Sequence, residues 1–92
     1  MDSVQEVRDK IDEHRQAIDA LDADIIRILN ERTELSLAIR ALKPKAGMEL
    51  YDPDREERIF ERLGALSDGP LRAQDIRAIY EALLKVMKEI PA

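Results

Sequence analysis

The first 42 residues carry one regular stripe in which successive members are three and four positions apart. Its members are Val4, Val7, Ile11, His14, Ile18, Leu21, Ile25, Ile28, Arg32, Leu35, Ile39 and Leu42. This heptad pattern has no internal Gly or Pro, so it predicts a single long helix from Val4 to Leu42. Asp2 or Ser3 can cap the start of that helix, and Glu6 is placed to complete a capping box with Ser3. Pro44 limits its end.

Two shorter helices follow in the pattern. Lys43–Tyr51 contains Pro and Gly and predicts a loop, after which Asp52 and Pro53 suit the N-cap and first position of a second helix. That helix has an apolar face of Ile59, Phe60, Leu63 and Leu66, and a turn over Ser67–Pro70 follows it. A third helix is predicted from about Arg72 to Ile90, with Pro91 as its stop. Its predicted apolar stripe is Ile76, Ile79, Tyr80, Leu83, Met87 and Ile90.

These elements predict an all-α fold with three helices per chain, one very long and two shorter, in one domain over residues 1–92. A helix of about forty residues is roughly 60 Å long, whereas a compact domain of this size has a radius of gyration of about 12 Å. The remaining residues cannot cover such a helix. We therefore expect an intertwined homodimer in which a second copy covers part of the heptad stripe.

Composition narrows the possible functions. The net charge of -5 opposes binding to nucleic acid or to anionic membranes, and no segment is long and apolar enough for a membrane span. The chain has no cysteine and one histidine, so we expect no metal site and no thiol chemistry. The N-terminus has no apolar run typical of a signal peptide, and a cytoplasmic location is expected.

Several charges lie on or beside faces that are otherwise apolar, where a charge needs a partner or a ligand. Arg32 occupies the heptad stripe itself, and Arg15 and Lys43 lie just beside it. Arg55 precedes Ile59 by one helical turn, and a cation at a helix N-terminus is opposed by the macrodipole. Each arginine can instead pair with a carboxylate or reach solvent, and the sequence alone does not choose between these two arrangements and a ligand site.

Spacing along the long helix connects these charges to the dimer. Arg32 and Lys43 are about 16 Å apart along the axis, but Arg15 is about 25 Å from Arg32, too far for one small ligand. If Arg15 joins the same pocket, it must come from the antiparallel helix of the second copy. A pocket of three arginines and a lysine suits a small molecule with two negative charges. Catalysis there would be electrostatic and positional, since no nucleophile with an adjacent base is present.

Over nearly its whole length, the sequence resembles the all-α class of chorismate mutases. The segment RQAIDALDADIIRILNERTELSLAIRALK, from Arg15 to Lys43, is similar to the long first helix of that family. The segment YDPDREERIFERL, from Tyr51 to Leu63, is similar to its loop and second-helix signature. The resemblance is specific because six residues occur in order at family-like spacing: Arg15, Arg32, Lys43, Asp52, Arg55 and Glu56.

The resemblance implies an enzyme that rearranges chorismate to prephenate in phenylalanine and tyrosine biosynthesis, without cofactor or metal. It implies that Arg15 of one subunit, with Arg32 and Arg55 of the other, binds the two carboxylates of chorismate. Lys43 would donate to the ether oxygen as the C–O bond breaks. Lys43 and Arg55 are the two catalytic residues that the resemblance implies. Asp52 and Glu56 would contact the ring hydroxyl. The resemblance also allows for a partner enzyme of the shikimate pathway.

The third helix departs from the family pattern. The family commonly has a Ser near the end of this helix and, one turn later, a Gln or Glu that shares the ether oxygen with the lysine. Here those positions correspond to Met87 and Pro91. This departure predicts weaker catalysis, or contacts supplied by another molecule. Three alternatives follow: an isochorismate-pyruvate lyase, a non-catalytic dimerisation or regulatory module that binds chorismate or prephenate, and a structural coiled coil.

Overall fold

The computed structural model describes residues 3–91 and contains three α-helices. Helix α1 spans Val4–Leu42, α2 spans Pro53–Leu66 and α3 spans Ala73–Glu89. No strand occurs within residues 3–91. The predicted all-α class, the number of helices and their approximate limits are therefore confirmed. Within the same residues, none of the helices combines the length and apolar character needed to cross a bilayer.

Local chemistry accounts for both ends of α1. The Ser3 hydroxyl oxygen accepts a hydrogen bond of 3.1 Å from the backbone N–H of Glu6, as the predicted cap requires. The alternative cap, Asp2, lies outside the described residues. At the other end the chain passes from α1 into a 3-10 turn, Lys43–Ala46, within the segment predicted as a loop. Pro44 disfavours the α conformation for the residue before it, and Lys43 is the first residue after the α-helix.

The chain divides into a first unit that ends at Leu35 and a second that begins at Ser36. The first unit consists of the greater part of α1, and no side chain of α1 is buried. Eight apolar residues of the predicted stripe lie in this unit, each between 43% and 69% exposed: Val4, Val7, Ile11, Ile18, Leu21, Ile25, Ile28 and Leu35. An amphipathic helix gains most of its stability by packing its apolar face. The first unit thus has an apolar face that its own residues leave uncovered.

In the second unit, α2 and α3 pack as an antiparallel hairpin around a small core of Ile59, Leu84 and Met87. At the turn of the hairpin the helices approach closely, since a Cβ added to Gly64 would lie 3.1 Å from the Cβ of Ala73. The predicted stripe of α3 was wrong in two places. Leu84, which it omitted, is buried, and Ile79, which it included, is 50% exposed.

A polar cluster joins the outer faces of the same two helices. The Arg77 guanidinium donates to both carboxylate oxygens of Glu57, at 2.6 and 3.0 Å, and to Glu81 at 2.8 Å. It also lies 4.7 Å from the centroid of the Phe60 ring. The hydrogen bond from Arg77 lowers the pKa of Glu57 below its ordinary value, and the paired carboxylates raise the pKa of Arg77.

Candidate active site

Lys43 lies where α1 ends, and its ammonium group is held by the following loop. The side chain is half-buried, and Nζ donates a hydrogen bond of 2.9 Å to the backbone carbonyl of Leu50. The loop that makes this contact reverses at Gly47, whose φ of 69° is in the left-handed region that favours glycine. The aim of Lys43 is therefore set jointly by the end of the helix at Leu42 and by the return of the chain at Leu50.

Asp52 and Arg55 form the N-terminus of α2. Oδ1 of Asp52 accepts a hydrogen bond of 3.0 Å from the backbone N–H of Arg55, so Asp52 is the predicted N-cap. The Arg55 side chain is exposed, and within residues 3–91 its guanidinium forms no ion pair. Of the alternatives left open for Arg55, a local ion pair with a neighbouring carboxylate is thus not formed among these residues. Arg55 is a cation at a helix N-terminus whose donors are available to an anion.

Glu56 points toward the end of α3. Its side chain is only 20% exposed, and Oε1 lies 2.7 Å from Nζ of Lys88. The Lys88 ammonium also lies 4.6 Å from the centroid of the Tyr51 ring. The sequence offered no sign of this cluster, because the first turn of α2 and the last turn of α3 are brought together only by the hairpin.

Arg40 fixes the end of α3 against the last turn of α1. Its guanidinium donates to the backbone carbonyls of Met87 and Ile90, each at 2.6 Å. These carbonyls belong to the end of a helix, where the backbone leaves acceptors without partners and where a positive charge is favourable. The sequence did not predict this contact, because Arg40 lies one position after Ile39 of the stripe, where an arginine is typical of an exposed surface.

The two remaining predicted residues belong to the first unit. Arg15 is exposed and forms an ion pair of 3.8 Å with Asp12 on the preceding turn of the same helix. Arg32 is half-buried. The other four predicted residues, Lys43, Asp52, Arg55 and Glu56, all belong to the second unit.

Four of the predicted side chains, the cations Lys43 and Arg55 and the carboxylates Asp52 and Glu56, thus belong to the loop after α1 and to the N-terminal end of α2. Such a group can bind an anion and hold a hydroxyl, and it can stabilise negative charge that develops on a bound molecule. Across residues 3–91 there is no group of three or more His, Cys, Asp or Glu residues arranged to hold a metal ion.

A family model described as chorismate mutase type II matches residues 14–91. The chain belongs to this family. The matched range contains all six residues predicted from the sequence, from Arg15 to Glu56. A solved structure of chorismate mutase (form II) from Thermus thermophilus superposes on the chain with a TM-score of 0.84 at 31% sequence identity. The superposition covers 88% of this chain and 92% of that one, so the three-helix chorismate mutase fold is shown.

Two curated relatives are larger proteins. A bifunctional chorismate mutase/prephenate dehydratase from Neisseria gonorrhoeae is 37% identical over 77% of this chain and 19% of its own length. A protein of the same description from Aquifex aeolicus is 40% identical over 89% of this chain and 22% of its own length. The chain therefore spans about a fifth of these relatives and corresponds to a chorismate mutase type II domain.

Proposed function

We propose that this protein is a chorismate mutase, which converts chorismate to prephenate by an intramolecular Claisen rearrangement. The observation that carries the proposal is the family match over residues 14–91, which includes every residue of the predicted site. Residues 1–92 act in this proposal as one functional domain. The reaction breaks the C–O bond of the ether and forms a C–C bond within one molecule. It therefore needs orientation and charge stabilisation rather than a covalent intermediate.

Lys43 is proposed to stabilise the transition state directly. Negative charge develops on the ether oxygen as its bond to the ring breaks, and an ammonium donor there interacts more strongly with the transition state than with the substrate. The hydrogen bond of 2.9 Å to Leu50 supports this role, because it already holds the ammonium in a defined place before any ligand binds. A ligand oxygen would replace the Leu50 carbonyl as acceptor.

The carboxylates of chorismate are assigned to arginines. Arg55 is supported by its exposed guanidinium at the start of α2, where a bound anion would relieve the unfavourable position of the cation. Arg32 and Arg15 are assigned from the resemblance, Arg15 acting from a second copy of the chain. Asp52 and Glu56 are assigned to the ring hydroxyl, for which each would supply a carboxylate oxygen as acceptor.

The second copy is part of the proposal because the first unit leaves its apolar face uncovered. Burial of side chains such as Ile18, now 54% exposed, is worth about 25 cal/mol per Å² of apolar surface, and the eight exposed stripe residues together offer a large area. A homodimer with two shared sites would cover this face and deliver Arg15. Ile18→Lys should yield a monomer in analytical ultracentrifugation. Gln16→Lys, an equal charge change on the polar side of the helix, should leave the dimer intact.

A non-catalytic module that binds chorismate or prephenate is the second candidate function. It is favoured by the third helix, where Met87 is buried with an apolar side chain and Pro91 has no side-chain donor. The polar contact to the ether oxygen that the resemblance implies for this helix therefore has no residue at its usual position. Catalysis weaker than the family norm is the corresponding expectation for the enzyme.

The deciding experiment follows the loss of chorismate absorbance with the purified protein and identifies the product by chromatography. Prephenate should form with the wild type and with Lys45→Ala, which removes an exposed lysine from the same 3-10 turn, but not with Lys43→Ala. Binding of chorismate without turnover would favour the regulatory module, and release of pyruvate from isochorismate would favour the lyase. An increase in stability on replacing Arg32 by Leu, with no chorismate binding, would favour the coiled-coil scaffold.

A mixing experiment tests the shared site separately. Homodimers of Arg15→Ala and of Arg32→Ala should each be inactive, because every site lacks one arginine. In a mixed dimer one of the two sites has both arginines, so up to half of the wild-type activity should return. A verified mixed dimer without activity would refute the shared site while leaving the reaction itself standing.

The proposed biological setting is aromatic amino acid biosynthesis in the cytoplasm. The two curated relatives combine chorismate mutase with prephenate dehydratase in one protein. A shikimate-pathway partner that consumes prephenate, attached or associated, is the corresponding proposal for this chain.

A further inference from the structure

We propose that Lys88 is a positioning residue of this site, which fixes the Glu56 carboxylate so that one of its oxygens faces the ring hydroxyl of the substrate. The inference rests on the proposed function and adds to it a residue of the third helix. It concerns the side of the site where Met87 and Pro91 depart from the family pattern.

The contact between Lys88 and Glu56 differs from an ordinary surface ion pair. Exposed pairs contribute little because water competes with them and both side chains lose rotamer freedom. Here Lys88 is 50% exposed but Glu56 is only 20% exposed, the distance of 2.7 Å is typical of a charge-assisted hydrogen bond, and the partners come from two different helices. The Tyr51 ring, 4.6 Å from the ammonium, holds the lysine from another side.

The backbone on either side of Lys88 is fixed as well. Met87, the preceding residue, is 6% exposed, and its carbonyl accepts a hydrogen bond from Arg40. The carbonyl of Ile90 accepts a second hydrogen bond from the same guanidinium. The last turn of α3 is thus attached to the last turn of α1, close in sequence to Lys43. Lys88 therefore presents its ammonium from an anchored helix end rather than from a loose terminus.

The consequence for Glu56 follows from the geometry of a carboxylate. Lys88 contacts Oε1, which leaves Oε2 as the acceptor for a hydroxyl. A glutamate that is free to rotate would lose side-chain entropy on binding a ligand, whereas one held by Lys88 has already lost it. The hydroxyl is on the ring carbon next to the one whose C–O bond breaks, but it keeps its own bonds throughout the rearrangement. This contact should therefore act similarly on substrate and transition state. Loss of the contact should therefore raise KM and leave kcat nearly unchanged.

The test measures kcat and KM for chorismate with the wild type, Lys88→Met, Lys88→Arg, Glu56→Gln and the double variant Glu56→Gln/Lys88→Met. We expect Lys88→Met to raise KM by about fivefold with kcat within about twofold, because uniform binding is lost. Lys88→Arg should restore most of the loss, since it keeps a charged donor. Lys85→Met, which removes an exposed lysine one turn earlier on α3, is the matched control and should leave both constants unchanged.

The double variant separates positioning from general stabilisation. If Lys88 acts through Glu56, Lys88→Met should have little further effect once Glu56 is Gln, because the two residues act as one unit. Additive effects, or a fall in kcat with KM unchanged, would overturn the inference. So would unchanged kinetics of Lys88→Met against an active wild type, which would leave the proposed function intact. A wild type that forms no prephenate would refute the proposed function and this role together.

Discussion

The contact of Arg40 with the end of α3 gives the sharpest test of the structure, because it is local and the sequence did not predict it. Arg40→Met removes both hydrogen bonds, to the carbonyls of Met87 and Ile90, and keeps a side chain of similar length. Hydrogen bonds from a charged donor contribute about 1.5–3 kcal/mol each in favourable settings, so the pair should contribute about 2–4 kcal/mol at this half-exposed position. At about 4–8 °C per kcal/mol, Tm should fall by about 10 °C or more.

The assay is thermal unfolding followed by far-UV circular dichroism at one protein concentration, since an oligomer unfolds in a concentration-dependent way. Arg40→Lys keeps the charge but presents a single ammonium instead of a fork, so it should lose about half of the effect. Arg27→Met is the control, because the pairs that Arg27 forms among residues 3–91, with Asp24 and Glu31, are exposed, lie within α1 and are worth about 0.5 kcal/mol each. Equal falls in Tm for Arg40→Met and Arg27→Met would refute the reasoning.

Three further changes test the second unit by its unfolding temperature. Gly47→Ala should destabilise by about 1–2 kcal/mol, because its φ of 69° is unfavourable for alanine. Gly69→Ala is the matched control and should be neutral: an added Cβ meets nothing within 4 Å at either glycine, so the two changes differ in backbone conformation and not in space. Leu84→Ala should cost about 2–5 kcal/mol, since Leu84 is 8% exposed in a small core; a loss below 1 kcal/mol would contradict its burial. Arg77 lowers the pKa of Glu57 from 4.5, so the pair stabilises the fold above that pH. The difference in Tm between wild type and Glu57→Gln should therefore be constant near neutral pH and disappear as pH falls through the lowered pKa. A difference that persists in acid would contradict this.

Helix limits followed from the sequence because local residues determine them. Ser3, Pro44 and the Asp52-Pro53 pair act through backbone chemistry within one turn, and the structure confirms each of these positions. The face of α3 that would be buried did not follow in full. Its apolar residues lie on more than one face, so the pattern alone does not tell which of them are buried: Leu84 is, whereas Ile79 is 50% exposed.

The sequence predicts a candidate site residue where a charge interrupts an apolar pattern or matches a family motif, as with Arg32 and Arg55. The sequence does not predict the residues that hold the site in place. Arg40 binds backbone carbonyls of α3, and Lys88 binds Glu56 of α2. Because the partners are far apart in the sequence, no local pattern predicts either contact. Such contacts depend on how α2, α3 and the part of α1 after Leu35 meet in the second unit, which a pattern along one helix does not contain.

The hydrogen bond between Lys43 and Leu50 bears on how tightly an acceptor can bind at this lysine. A lysine side chain that becomes ordered loses about 1.5–2 kcal/mol of rotamer entropy, and here much of that loss occurs when the chain folds. An incoming oxygen would displace the Leu50 carbonyl, which accepts at 2.9 Å and belongs to an exposed residue of the loop. Binding thus exchanges one acceptor of the Lys43 ammonium for another and does not have to order a freely rotating lysine side chain. The composition and length of the loop from Lys43 to Leu50 should consequently affect affinity, even though most of its residues need never touch the bound molecule.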